Sequence, residues 1–477
     1  MKKMLKLSSI VWLFALFFPL LSVFSSPVEA KENHYVIGLD DTFSPMGFRD
    51  NEGNLVGFDI DLARAVADLN GWSIDFQPID WSMKETELNT GNIDMIWNGF
   101  GITPEREKQF LLTEPYIDSK QMIITRADDP IDDLEDLAGK KVGSQSGSTT
   151  AEEMKTWPNN LYQRLDGQPV LYPSYNEVFA DLDAGRIDAI ATGTIYGLYT
   201  LQQRPEGQYK YFVNEEYVEP MAVALRKEDT QLKETIDQSI QTLKENGKYD
   251  EIYDKWFAGD QTADRGNSLV MTVLPSLLSA FKMTFLIFIV VLVLSIPIGF
   301  LIAILRVFGP KWLQGLIEAY VFVMRGSPLM LQLMVFFFGL PYIGLSLDRF
   351  TAAIFAFVIN YAAYFTEIFR GGISSVPDGQ FESINVLGIG HVRGFRRIIL
   401  PQVMKIVMPS VGNEVISLVK DTSLVYVIGL GELLRAGSIA ANTYATLTPY
   451  LLCGAIYLLF TAVVTFFLKR LEGRIDW

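Results

Sequence analysis

The sequence predicts a two-lobed α/β domain followed by an all-α membrane domain of five spans. Three observations lead there: a break in charge and hydropathy near residue 268, an internal echo in the first part, and long apolar segments in the second. Residues 31–267 hold 22 Lys+Arg and 44 Asp+Glu, a net of −22, whereas 268–477 hold 15 and 10, a net of +5. The acidic first part argues against nucleic-acid binding, which needs basic surface to displace condensed counterions.

The echo comes first in the chain. Leu88 to Ile96 (LNTGNIDMI) recurs as Leu182 to Ile190 (LDAGRIDAI), offset by 94 residues, and both copies reach a glycine at the same place, Gly99 and Gly193. Each copy reads as a helix end, a glycine stop and a buried strand. Two aligned copies imply two similar α/β lobes, with strand carboxyl ends facing each other across a cleft. Before the first copy, residues 59–70 place Leu62, Val66 and Leu69 on one helical face, closed by Gly71.

The ends of this domain are set by composition. Lys2, Lys3 and Lys6 precede an apolar run from Ile10 to Phe24, and Val28-Glu29-Ala30 offers small residues for a signal peptidase. Residues 1–30 therefore read as a cleaved signal peptide. An uncleaved anchor is the alternative, although the run falls short of the about 20 residues of a span. Residues 31–258 form the soluble domain, and the polar stretch 259–267 is a linker.

The remainder, 268–477, carries the five apolar segments, at about 272–305, 312–340, 350–370, 402–428 and 446–468. If the first begins outside, Arg306 and Lys311, then Arg370, Arg393, Arg396, Arg397 and Lys405, and finally Lys469, Arg470 and Arg474 all fall inside. An even number of spans would put the basic tail outside.

Absences narrow the chemistry. Cys453 is the sole cysteine, and His34 and His391 are the sole histidines. Intrachain disulfides are excluded, and neither a cysteine-rich metal site nor serine–histidine catalysis is expected. No G-x-x-x-x-G-K-[ST] phosphate loop occurs. No catalytic residue, metal or cofactor is predicted, and the chain is not expected to be an enzyme.

The most specific motif lies after the third span. Glu382-Ser383-Ile384, three residues, Gly388, nine residues, Ile398, one residue, then Leu400-Pro401 resembles the EAA-type loop of ABC-importer permeases, departing from it in Ser-Ile for Ala-Ala. Arg325 to Leu329, Phe369 to Ile373, Val376 to Gln380 and Lys420 to Leu424 resemble the polar amino acid branch of that family over 270–477. Adjacent Lys420 and Asp421 either pair with each other or serve gating. The resemblance implies that a separate ATPase dimer docks on the coupling loop, 371–401, through Glu382, Gly388, Leu400 and Pro401. It also implies a second permease copy, most simply a homodimer, in the lipid of a bacterial plasma membrane.

The acidic domain resembles the polar-amino-acid solute-binding proteins over about 35–257, through Asp40 to Phe48, Gly57 to Leu62, Trp97 to Gly99 with Thr103 to Arg106, and Val142 to Thr149. The resemblance implies a periplasmic-binding-protein-like fold whose chain crosses between lobes near 122–126 and 220–226, with the domain outside the cell. Arg106 matches the carboxylate-binding arginine, whose planar fork suits an amino acid's carboxylate. Backbone N–H groups at Ser148 and Thr149 would face the same group. Phe43 and Trp81 match rings that sandwich the ligand side chain, and Asn98, Gly99 and Gly101 complete the site. The family's acid for the ligand ammonium falls at Gly193 here: either Asp40 or Asp41, with a carbonyl near Gly99, serves instead, or the ligand is not an ordinary α-amino acid. A ligand-gated channel is the alternative function. It requires a pore segment inserted between the lobes.

Overall fold

The computed structural model describes residues 33–50, 53–258, 269–443 and 446–475. The signal peptide expected over 1–30 and the linker expected over 259–267 lie outside the described residues. The described residues fall into two compact units, one of residues up to Ser276 together with Gly437–Tyr450, the other of Leu277–Ala436 and the residues from Leu451 on.

The first unit is α/β. Its main strands are β1 (His34–Leu39), β2 (Ser73–Pro78), β3 (Met95–Gly101), β4 (Ile117–Arg126), β5 (Val142–Gln145), β6 (Val170–Tyr172), β7 (Ala189–Gly193) and β8 (Tyr209–Leu225). They join one nine-stranded sheet in the order β6-β5-β7-β4-β8-β3-β1-β2, with Leu111–Leu112 paired beside β8. β1, β2 and β3 are parallel and form one lobe; β5, β6 and β7 are parallel and form the other. Antiparallel β4 and β8 run between them.

The expected crossings need correction. Residues 121–125 of β4 already pair with β7, and 221–225 of β8 already pair with β3. The chain crosses earlier, at 117–120 and 214–220, where the β4–β8 register slips between Asn214 and Val218. Such an irregularity frees the ladder locally, which suits a hinge.

The echo is borne out as two helix–turn–strand units. Helix Lys84–Asn89 leads through Gly91 at φ +74° into β3, and helix Tyr175–Asp183 leads through Gly185 at φ +68° into β7. Helix Phe58–Asn70 buries Phe58, Leu62 and Val66 against the first lobe and stops at Gly71. Leu69, expected on that face, is 48% exposed. Burial along this helix ends at Ala67, so the last turn overhangs the core. The first lobe's core joins Ile37, Trp97 and Val223 to Ile236, Ile240 and Trp256 from the returning C-terminal helices. The second lobe packs Ile123, Val142 and Trp157 on one face of its sheet, and Ile124, Phe179 and Tyr196 in a further cluster.

The second unit is helical. Leu269–Phe308, Arg349–Ser374 and Thr448–Gly473 are each long and apolar enough to cross a membrane, and two bent helix pairs raise the number to as many as five. Arg349–Ser374 is mostly buried within the unit, whereas the other two are largely exposed. The span expected at 312–340 is broken: Lys311–Gly326 and Leu329–Ile343 meet at 106°. Pro328 has no N–H to continue the helix and holds Ser327 extended, at φ −117°, ψ 148°. The fourth segment is likewise compound: His391–Ile428 and Leu433–Ala441 meet at 60°.

Candidate functional site

A narrow cleft opens between the lobes of the first unit. β1, β3, β5 and β7 deliver their carboxyl-terminal ends to it, as parallel sheets do. Of the residues expected in the site, Asp40, Phe43, Trp81, Asn98, Gly99, Ser148 and Thr149 line it. Asp41, Gly101 and Arg106 do not.

Asp40 follows β1 and is buried. Its carboxylate accepts from the Thr42 amide at 2.9 Å and hydroxyl at 2.6 Å, and from Gln145 Nε2 of the opposite lobe at 2.7 Å. Burial raises its pKa above the ordinary value, against the pull of the Thr42 hydroxyl. Asp41 turns away and pairs with Arg49 at 2.9 Å. Asn98 accepts from the Asp40 amide at 3.1 Å, while its Nδ2, buried, has no partner among the described residues. Gly99 adopts φ +57°, and a Cβ there would lie 2.8 Å from the Phe43 ring. Its amide is held by Asp59 at 2.7 Å.

Arg106 sits beside the cleft and joins the lobes. Its N–H groups reach Gly101 O at 3.0 Å, Thr149 Oγ1 at 2.8 Å, Gly147 O at 2.9 Å and Glu152 at 3.0 Å. The guanidinium also stacks over Phe100, 4.4 Å from the ring centroid. Ser148 caps the short helix Thr149–Glu153 through the Ala151 amide.

Sequence reasoning missed several contributors. Tyr175 and Tyr196 line the cleft, and Phe43 stacks on Tyr196 with centroids 5.4 Å apart. Lys84 is buried and donates to Gly147 O at 3.0 Å across the lobes. Burial, with Arg106 close by, lowers its ammonium pKa to about 8. Its signal was a lone lysine one turn beyond Trp81, on the buried side of a short helix. Ser119 and Glu219 line the cleft from the crossing strands. Glu219 is 5% exposed, and its signal was a single acid in the apolar run Val218 to Leu225. Among the described residues, no cluster of His, Cys, Asp and Glu has the makings of a metal site.

The loop of the second unit folds as a knob. Helix Asp378–Val386 carries exposed Glu382, Gly388 turns at φ +63°, and helix His391–Gly394 follows. Pro401 lies in the first turn of helix Leu400–Asp421. The departure at Ile384 is accommodated: it is buried against Gly394, where a Cβ would lie 2.6 Å from its side chain. Val386, Leu387 and Val392 are exposed at the tip. Among the described residues Lys420 and Asp421 form no ion pair; Asp421 accepts from the Tyr361 hydroxyl at 2.6 Å.

Residues 35–259 match the bacterial extracellular solute-binding proteins, family 3. Residues 295–477 match the binding-protein-dependent transport system inner membrane component. The arginine transport system permease protein ArtQ of Bacillus subtilis (strain 168) is 34% identical over 210 residues, covering 44% of this chain and 96% of that protein. The glutamine transport system permease protein GlnP of Escherichia coli (strain K12) is 36% identical over 210 residues, covering 43% and 96%. A substrate-binding protein of an ABC uptake transporter from Streptococcus pneumoniae, solved with bound histidine, is 36% identical, covering 49% of this chain and 96% of that one at a TM-score of 0.47. No candidate span interrupts the lobes among the described residues, as the channel alternative requires. One chain thus carries both a family 3 solute-binding domain and a permease domain, and it belongs to the binding-protein-dependent transport system inner membrane components.

Proposed function

We propose that the first unit captures a polar amino acid outside a bacterial plasma membrane and that the second passes it inward, driven by a separate ATPase. The observation that carries the reading is the interlobe cleft, where buried polar groups from both lobes converge around a stack of aromatic rings. A zwitterion leaving water needs both charges paired, and Arg106 with Ser148 and Thr149 is the candidate set for its carboxylate. Relatives named for arginine and glutamine transport support the substrate class.

The exposed apolar tip of the knob at Val386, Leu387 and Val392 supports docking of an ATPase dimer there, with Glu382, Gly388, Leu400 and Pro401 shaping it. Exposed Val293, Leu301, Leu458, Phe466 and Phe467 on the outer spans support contact with lipid. A homodimer supplies two permease halves and two capture domains. Fusion keeps each capture domain at high effective concentration beside its permease.

The test is binding of radiolabelled L-arginine and L-glutamine to the full chain in nanodiscs. At least one is expected to bind, and Arg106→Ala to weaken it about 30-fold or more, corresponding to the loss of a charge-paired carboxylate. Unchanged affinity in Arg106→Ala removes Arg106 from the site. No binding of any amino acid removes the substrate class.

A further inference from the structure

Glu219 is a buried carboxylate that forms no ion pair among the described residues. It lies where β8 crosses between the lobes, in register with Ser119 of β4, and both side chains reach the cleft. Its space is made by two glycines, one from each lobe. A Cβ on Gly101 would strike Glu219 Oε1 and Thr149 Oγ1, and a Cβ on Gly193 would lie 3.3 Å from Glu219 Oε2 and 2.9 Å from Ser119 Oγ. A carboxylate is thus seated where the missing side chain of residue 193 leaves room.

The surroundings compensate its charge only in part. Burial raises its pKa, the Thr149 hydroxyl and the Arg106 charge oppose this, and Glu153 and Glu152 add to it. The Arg106 hydrogen bonds go to Thr149, Glu152 and two carbonyls rather than to Glu219. Asp40, the acid expected for this role, is already committed to Thr42 and Gln145. A buried carboxylate is stable beside a cation and costly without one. A cleft built around one therefore selects ligands that bring positive charge.

We infer that Glu219 is the cleft's cation-binding carboxylate: it pairs with the ammonium of the captured amino acid, Ser119 supplies a second acceptor, and the acid reaches in from the crossing strand instead of from position 193. This rests on the amino-acid reading above and adds the partner of the amine. It makes the ligand's positive end a direct tie to the segment about which the lobes move.

The experiment measures calorimetric affinities of the full chain in nanodiscs for L-glutamine and L-arginine, and for their analogues lacking the α-amino group. The wild-type chain is expected to prefer the amine-bearing form by about 30-fold or more. Glu219→Gln, nearly the same shape without the charge, should reduce that preference to about 3-fold or less. Should Glu219→Gln fold poorly, Glu219→Asp, which keeps the charge but retracts it, is expected to show a partial loss. A preference that survives Glu219→Gln or Glu219→Asp unchanged overturns the inference and leaves the amino-acid reading standing. A wild-type chain that binds no amino acid overturns both.

Discussion

At the scale of single residues, the cleft depends on close approaches that larger side chains would forbid. Gly99 combines a left-handed φ with contact to the Phe43 ring, so any side chain there meets both strain and overlap. Its amide is held by Asp59, whose carboxyl is fully buried and raised by that burial to about 7. The ordinary value is about 3.9. The folded domain therefore holds a proton that the unfolded chain releases between these values. The resulting stabilisation is complete below the unfolded pKa and is lost as pH rises through about 7. Asp59→Asn keeps an acceptor for the Gly99 amide and has no charge to bury. Relative to wild type it should gain stability from pH 4 to pH 8, by up to about 4 kcal/mol. Thermal unfolding at both pH values measures this; a difference between the two proteins that does not move with pH counts against it. Ile384 and Gly394 make a second matched pair: the larger side chain fits because its neighbour has none.

At the scale of elements, the break at Pro328 shows how a membrane helix bends without leaving a carbonyl bare. Residue 328 would have donated to the carbonyl of Met324, four residues back. Gln332 Nε2 donates to that oxygen at 2.8 Å and Asn360 Nδ2 at 2.9 Å, and Asn360 also donates to Gln332 Oε1 at 3.0 Å. The sharp bend is thus locked to the central helix Arg349–Ser374, as buried backbone in lipid requires. Asn360→Ala should destabilise the second unit by about 1–2 kcal/mol. Gln332→Ala should do the same, and the double substitution should cost less than the two together, because the hydrogen bond between the two side chains is already lost in either single variant. Unfolding in detergent measures it, and strict additivity would contradict the shared role. The first span meets the same central helix at Gly299, where a Cβ would lie 2.6 Å from that of Phe365, and Thr366 donates to Gly299 O at 3.2 Å.

At the scale of the whole molecule, solute binding and permeation belong to separate domains of one chain, and the knob proposed to dock an ATPase belongs to the second unit. Gly388 turns at φ +63°, a conformation that costs a β-branched residue about 1–2 kcal/mol. Gly388→Val should therefore distort the knob and leave the cleft intact. Amino-acid binding to the full chain is expected to be unchanged, while amino-acid-stimulated ATP hydrolysis by the co-purified complex falls about tenfold or more. Equal losses in both would mean that the substitution harms folding instead of docking.

The two-part architecture, the paired lobes and the helix–turn–helix knob were legible because each is written in local pattern: charge, apolar run length, glycine stops and fixed spacing. The helix–turn–strand echo needed no more than the period of its own residues, and Gly71, Gly91 and Gly185 end their elements through backbone geometry alone. The break at Pro328 was half legible, since proline announces a bend but not whether neighbours will rescue it. The partners in the cleft were not legible. Asp40 and Asp41 are adjacent and chemically alike, yet packing sends one to the cleft and the other to Arg49. Arg106 and Lys84 meet at the Gly147 carbonyl from 41 and 63 residues away. Glu219 reaches the space beside Gly193 only because β8 crosses the lobes at that point. By itself the sequence determined which segments are soluble, repeated or apolar, since those follow from neighbours along the chain. Which carboxylate lines the cleft was decided by the tertiary fold, because burial and charge pairing depend on residues that meet only after the sheet closes.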